Sequence, residues 1–219
     1  AKELYPNLLQ GKSFDDGHLG GCNVEGDPAT HYPIMWKFLC DELKIKSVVD
    51  IGCGFGYSLD FFKKHLKLHG IGVEGSPKVQ ELALNRDAIK VHDYSKGPLT
   101  FRKNYDLAWS SEFVEHVSPQ YVENFISTFK CCKYIAITYA SVGQTGHNHV
   151  NENTESYWIN LMMTHGLIFD RDLTVQLRSK TEEDFSRPTS PVDQSKVIGW
   201  TYPYHFSQKG LFFRNDLLL

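Results

Sequence analysis

Val48-Val49-Asp50-Ile51-Gly52-Cys53-Gly54-Phe55-Gly56 is the stretch that decides the fold of this 219-residue chain. Its first four residues are β-branched or apolar around one acid, the composition of a strand buried on both faces. The glycines that follow let the backbone turn sharply and approach a ligand closely. The residues after them read as a helix. Strand, glycine turn and helix form the unit of open α/β sheets, whose ligands bind beyond the carboxyl ends of the strands. The spacing is selective. A dinucleotide-binding GxGxxG needs glycine at position 57, which is Tyr57, and the Gly-Lys-Ser/Thr ending of a phosphate-binding loop is absent.

Outward from this stretch the same alternation recurs. Upstream, Pro33 suits a first helical turn, and Ile34, Met35, Phe38, Leu39 and Leu43 form one apolar stripe. Downstream, residues 57–68 read as a helix. Gly70–Glu74 is a second strand, 77–86 a helix, Ile89–His92 a third strand and Tyr105–Ser110 a fourth. Ser118 and Pro119 open a helix over about 119–130. Tyr134–Tyr139 is a fifth strand, and Ser141–Asn153 a polar loop. Thr154–His165 is a helix closed by Gly166. Leu167–Phe169 and Tyr204–Phe213 complete the set. These elements predict an α/β fold: a doubly wound, mostly parallel seven-stranded sheet with helices on both faces. We expect a single domain over 1–219, with an irregular N-terminal arm over 1–30 and a mobile loop over 180–200.

Hydrophobic residues are 41% of the chain, charged ones 22%, and the formal net charge is −3. No Lys/Arg block marks a nucleic-acid partner, and no apolar run has the roughly 18 residues of a membrane span. Cys22, Cys40, Cys53, Cys131 and Cys132 are odd in number and lack a CxxC pair, so free thiols in a reducing, cytoplasmic compartment are expected. The chain starts at Ala1 without a methionine, as a processed chain or one domain of a longer protein would.

Asp50, Gly52, Gly54 and Gly56 match, position by position, motif I of the class I S-adenosylmethionine-dependent methyltransferases, and over residues 45–170 the chain resembles that family. The resemblance implies S-adenosylmethionine as cofactor and S-adenosylhomocysteine (SAH) as product. It implies that the loop, Cys53 included, wraps the methionine moiety, with Asp50 near the ligand's amino group. Glu74, followed by Gly75, ends the second strand, where a carboxylate accepts hydrogen bonds from ribose hydroxyls. Asp93 and Tyr94 follow the third strand, at the family's adenine position. Ser110 and Glu112 end the fourth, and Glu115-His116-Val117 resembles the family's Glu-His-Val segment.

For an oxygen acceptor a general base assists transfer, and His is the side chain suited to neutral pH. His116 follows the fourth strand. His147 and His149 lie in Gly146–Asn151, which resembles a Gly-His-x-His-Val-Asn segment of bacterial and viral methyltransferases associated with glycan synthesis. A sugar or glycan hydroxyl is therefore the expected acceptor, with His149, His116 and His147 as candidate catalytic residues. A small-molecule metabolite acceptor and a non-catalytic cofactor-binding relative are the alternatives. A divalent metal held by the His-x-His pair with Glu152 or Asp93 is conceivable, but spacing supplies no third ligand, and a metal-free site is expected.

Overall fold

The computed structural model describes residues 13–23, 26–144, 146–186 and 204–219. A small hairpin, β1 (Ser13–Asp15) with β2 (Gly21–Asn23), precedes α1 (Pro33–Leu43). Then follow β3 (Ser47–Ile51), α2 (Tyr57–Lys64), β4 (His69–Glu74), α3 (Pro77–Leu82), β5 (Ile89–Val91) and β6 (Tyr105–Ser110). The remaining elements are α4 (Val122–Phe129), β7 (Cys132–Ile137), α5 (Glu155–Thr164), β8 (Ile168–Phe169), α6 (Arg171–Ser186), α7 (Tyr204–Lys209) and β9 (Leu211–Arg214). Strands β3 to β9 form one sheet in the order β5-β4-β3-β6-β7-β9-β8. Only β9 runs antiparallel to its neighbours. Among the described residues, no helix is long and apolar enough to cross a membrane.

Strand alternation sorts the core into two layers. Val49, Ala108, Ile135 and Phe213 face Phe125, Phe129, Trp158 and Met162 of α4 and α5. Val48, Trp109, Ala136 and Phe212 face Met35, Trp36, Leu39, Leu177 and Phe206 on the other side. Both faces of the sheet are covered, which is why its central strands read as continuous apolar runs rather than alternating ones. From β3 the chain moves outward to β4 and β5, then returns to place β6 on the opposite side of β3. This switch point opens a crevice at the carboxyl ends of β3 and β6.

Several elements depart from their sequence patterns. The arm expected to be irregular contains the β1–β2 hairpin and a 3-10 turn at Gly17–Leu19; residues 1–12, 24 and 25 lie outside the described residues. The helix expected over 77–86 stops at Leu82, because Leu84 N–H bonds the Phe55 carbonyl at 2.9 Å and the chain turns through Asn85 at φ 54°. Tyr204–Phe213 is a helix and then a short strand. Gly210 N–H closes that helix on the Phe206 carbonyl at 2.8 Å, and only Leu211–Arg214 reaches the sheet. The loop expected from 180 is helical to Ser186; residues 187–203 lie outside the described residues.

Tertiary contacts explain that last departure. Asp184, three per cent exposed, accepts the backbone N–H groups of Ile34 (2.7 Å) and Met35 (3.0 Å) at the start of α1. Burial pushes its carboxyl up to about 6, against those two hydrogen bonds. One helix therefore caps another across a long stretch of sequence, satisfying amide groups that the α1 start leaves without intrahelical partners. Asp184→Ala is expected to lower stability by about 1–2 kcal/mol, read as a lower urea midpoint at unchanged slope. An unchanged midpoint would show that the cap contributes nothing.

Candidate active site

The backbone at the end of β3 turns through Gly52, Gly54 and Gly56 at φ 70°, 50° and 80°. Gly52 is needed twice over: for that conformation, and because a Cβ there would lie 2.5 Å from the Phe113 ring. Gly52 and Cys53 N–H groups donate to the Val73 carbonyl at 2.9 and 3.2 Å, which draws the loop over β4. Cys53 Sγ packs on Gly72, where a Cβ would meet it at 2.6 Å. Glu74, ending β4, accepts Gly54 N–H at 2.9 Å and Ser76 N–H at 3.0 Å, one per carboxylate oxygen. Each oxygen keeps a further lone pair. Asp50 is buried, and its Oδ2 has no hydrogen-bond partner among the described residues. Burial pushes its carboxyl up to about 8, with the Leu59 backbone opposing and the charge of Glu74 adding.

The N-terminal turn folds over these strand ends. Leu19 covers Gly75, so that a Cβ there would be 2.8 Å from Leu19 Cδ2. Ser76 hydroxyl donates to Asp16, and Lys78 pairs with Asp16 at 3.2 Å. Asp93 accepts Ser95 N–H at 2.8 Å and pairs with His18 Nε2 at 3.0 Å. Tyr94 does not line the crevice. Its ring is buried against Phe113 and Phe125, and its hydroxyl shares a hydrogen bond with Thr128 at 2.8 Å.

Across the switch point, Ser110 hydroxyl donates to the Ile51 carbonyl at 3.1 Å and ties β6 to β3. Glu112 stands at φ 52°; its N–H donates to Thr138 Oγ1 at 2.8 Å, and the Thr138 hydroxyl donates to its Oε1 at 2.9 Å. His205 Nδ1 lies 3.3 Å from the same oxygen. The Glu115 carbonyl then accepts the N–H groups of Val150 (2.9 Å) and Asn151 (3.0 Å), and Asn151 Nδ2 donates to the Val117 carbonyl at 3.1 Å. These bonds stitch the segment after β6 to the loop after β7.

The result is a compact group of side chains. Glu115 has no exposed surface, and its carboxyl is in hydrogen-bonding contact with that of Glu112. Burial, with the charge of Glu112, holds its carboxyl well above the usual carboxylate range. The rings of His116 and His149 meet edge to face at 5.1 Å. His116 Nδ1 lies 3.2 Å from the Asn148 carbonyl, and burial lowers its pKa to about 4, the charge of His149 adding to that effect. His149 Nδ1 lies 2.9 Å from the Gln144 carbonyl and 3.1 Å from Glu152 Oε1. A carbonyl oxygen only accepts, so each ring carries a proton on Nδ1. His147 stands apart on an exposed turn, its Nε2 3.2 Å from Asn148 Nδ2.

The structure thus gathers Asp50, the glycine loop and Glu74 on one side of the crevice, and Glu112, Glu115, His116 and His149 on the other. Trp158 is fully buried in the core. Sequence reading passed over the Glu115 carboxyl, Thr138, His205 and the covering turn Asp16–Leu19. The Glu-x-x-Glu-His spacing at 112–116 was the available signal for the first of these.

Residues 35–179 match the family model described as Methyltransferase domain, and the chain belongs to that family. No curated protein matches it. Among solved structures it is similar to the plantazolicin methyltransferase BpumL in complex with a triazolic desmethylPZN analogue and SAH. That match has 14% identity, 86% of each chain covered and a TM-score of 0.57. It is also similar to the protein bound to the Haloferax volcanii Trm112 methyltransferase activator, at 17% identity, 84% and 90% coverage and a TM-score of 0.54. A third is the sugar N-methyltransferase KedS8 from Streptoalloteichus sp., at 10% identity, 65% and 82% coverage and a TM-score of 0.53. At these identities the likeness is one of fold.

Gly52→Ala is expected to destabilise the protein by roughly 1–3 kcal/mol, read by calorimetric melting, because the methyl group overlaps Phe113. The double variant Gly52→Ala with Phe113→Ala should recover part of that loss. No recovery would show that the backbone conformation alone, and not the Phe113 contact, demands glycine.

Proposed function

We propose that this chain transfers a methyl group from S-adenosylmethionine to a sugar hydroxyl of a glycan. The observation that carries the donor half is the buried, partnerless Oδ2 of Asp50, set beside a loop of left-handed glycines and the spare lone pairs of Glu74. An orphaned buried acceptor costs about 1–3 kcal/mol unless a ligand donor satisfies it. An ammonium and a ribose edge are groups these two carboxylates fit. Asp50, Gly52, Cys53, Gly54, Gly56 and Glu74 would hold the cofactor. When bound, S-adenosylmethionine supplies an electrophilic methyl carbon on a sulfonium and leaves as SAH, the S–C bond electrons returning to sulfur.

The remaining work falls to the protein and is mostly alignment and exclusion of water. The acceptor oxygen must also lose its proton as the C–O bond forms. His149, its Nδ1 anchored by Gln144 and Glu152, is the side chain we assign to activating that hydroxyl. Polar side chains on the loop around it, Gln144, His147 and Asn148, favour a hydroxyl-rich acceptor over an apolar one. An intracellular, reducing setting is part of this proposal, in keeping with the free thiols of Cys40, Cys131 and Cys132.

Calorimetric titration with SAH should give a dissociation constant on the order of micromolar, with no heat from NAD and none from Asp50→Ala. Equal binding by the variant would remove Asp50 from the donor site. Because Asp50 titrates near 8 when free, pairing it with an ammonium requires loss of its proton below that pH. SAH affinity should therefore rise with pH up to about 8 and level off above it, with proton release visible as a buffer-dependent enthalpy. A flat profile would contradict the pairing. With an acceptor in hand, His149→Ala should lower turnover about 10²–10⁴-fold and leave SAH binding intact.

A further inference from the structure

We infer that Glu115, His116 and His149 form a binding site for one divalent first-row cation, of the manganese, cobalt or zinc kind, placed to engage the acceptor hydroxyl. One ligand atom from each residue lies within 4.8 Å of the others. Around a tetrahedral ion with bonds of roughly 2.1 Å, ligand atoms stand about 3.4 Å apart. The group needs a closure on the order of 1 Å, which small rotations about the side-chain bonds supply.

Three further features point to a cation rather than to packing. The Glu115 side chain is fully buried against a second carboxyl, that of Glu112, and no described residue of opposite charge forms an ion pair with it. Buried carboxyl groups are ordinarily hydrogen-bonded, paired or bound to metal. Both imidazoles are held by hydrogen bonds of the kind that orient a metal ligand. His116 is anchored through Nδ1 by the Asn148 carbonyl, and His149 by the Gln144 carbonyl and Glu152. A metal-binding histidine characteristically donates its other ring N–H to such a carbonyl or carboxylate, which fixes the tautomer and aims the free nitrogen. Finally, the backbone bonds from Val150 and Asn151 to the Glu115 carbonyl hold the two halves of the set together without using any ligand atom.

Two nitrogens and a carboxylate suit borderline divalent ions rather than calcium, which prefers an all-oxygen shell. Three protein ligands also leave positions open, as catalytic sites do. A cation here would lower the pKa of a hydroxyl in contact with it, so that the hydroxyl sheds its proton to solvent near neutral pH. His149 would then act as a ligand rather than as the proton acceptor. Glu112, held by Thr138 and His205, lies beside Glu115 and adds negative charge that favours the ion.

The ion site itself stands on the side-chain geometry; only its engagement of the acceptor rests on the function proposed above. The test is titration of chelator-treated protein with MnCl2, read by electron paramagnetic resonance and by calorimetry, in parallel with SAH titration of the same sample. One Mn2+ per chain is expected, with a rise in melting temperature as the ion saturates. Glu115→Gln and His149→Gln should each weaken Mn2+ at least about tenfold, whereas His165→Ala, at the end of α5, should not. Absence of stoichiometric Mn2+ binding, or equal binding by both Gln variants, overturns the inference even if SAH binds. Mn2+ binding without SAH binding upholds the site and overturns the methyltransferase reading. If either Gln variant fails to fold, the wild-type stoichiometry and melting shift still decide the matter.

Discussion

Two carboxyl groups, those of Asp50 and Glu115, are buried near the carboxyl ends of the sheet's central strands, and most of the site's architecture follows from holding them there. Asp50 and Glu115 each forgo solvation that an exposed carboxylate would keep, at a cost of about 1–3 kcal/mol per unsatisfied group. The surrounding fold must supply that energy. The layers above and below the sheet do so, placing Trp36, Trp109 and Phe206 on one face and Phe125, Phe129 and Trp158 on the other. Stability surplus from a two-sided aromatic core is spent at the crevice, where polar groups stand ready for ligands. Gly52, with Phe113 pressed against it, shows how tightly the two regions are joined.

The switch between β3 and β6 sets those carboxyls on separate segments. Asp50 belongs to the strand that begins the sheet and to the loop over β4. Glu115 belongs to the segment leaving β6 and, through its backbone carbonyl, to the loop leaving β7. Ser110, donating to the Ile51 carbonyl, fixes the spacing of the two halves. The two sides of the crevice are thus carried by different strands, joined by the β3–β6 ladder and, beyond it, by the Ser110–Ile51 hydrogen bond.

Much of the fold was legible because its signals are local. Val48–Gly56 carries strand, turn and helix in nine residues, and alternation of element types then dictates a parallel sheet. What escaped reading depended on long-range contact. Nothing near residues 180–186 announces a helix; Asp184 finds its role only when α1 packs against it. Likewise the strand pattern of Tyr204–Phe213 lost to Gly210 and to the stacking of Phe206 on Trp109. Tyr94 had the right position in sequence for the crevice, but its phenol is satisfied by Thr128 inside the core.

The histidines of the two loops show the same limit most sharply. His147 and His149 are equivalent by motif, two residues apart on one polar loop. The left-handed turn at Asn148 separates them, sending His147 to the surface while the Gln144 carbonyl and Glu152 anchor His149. The partner of His149 is instead His116, more than thirty residues earlier, brought close because the Glu115 carbonyl takes the amides of Val150 and Asn151. A spacing rule for metal ligands looks along the chain, and the third ligand it lacked was Glu115, on another segment. Chemistry at this site is therefore written in backbone hydrogen bonds between two loops, a level of organisation that single-residue motifs do not carry.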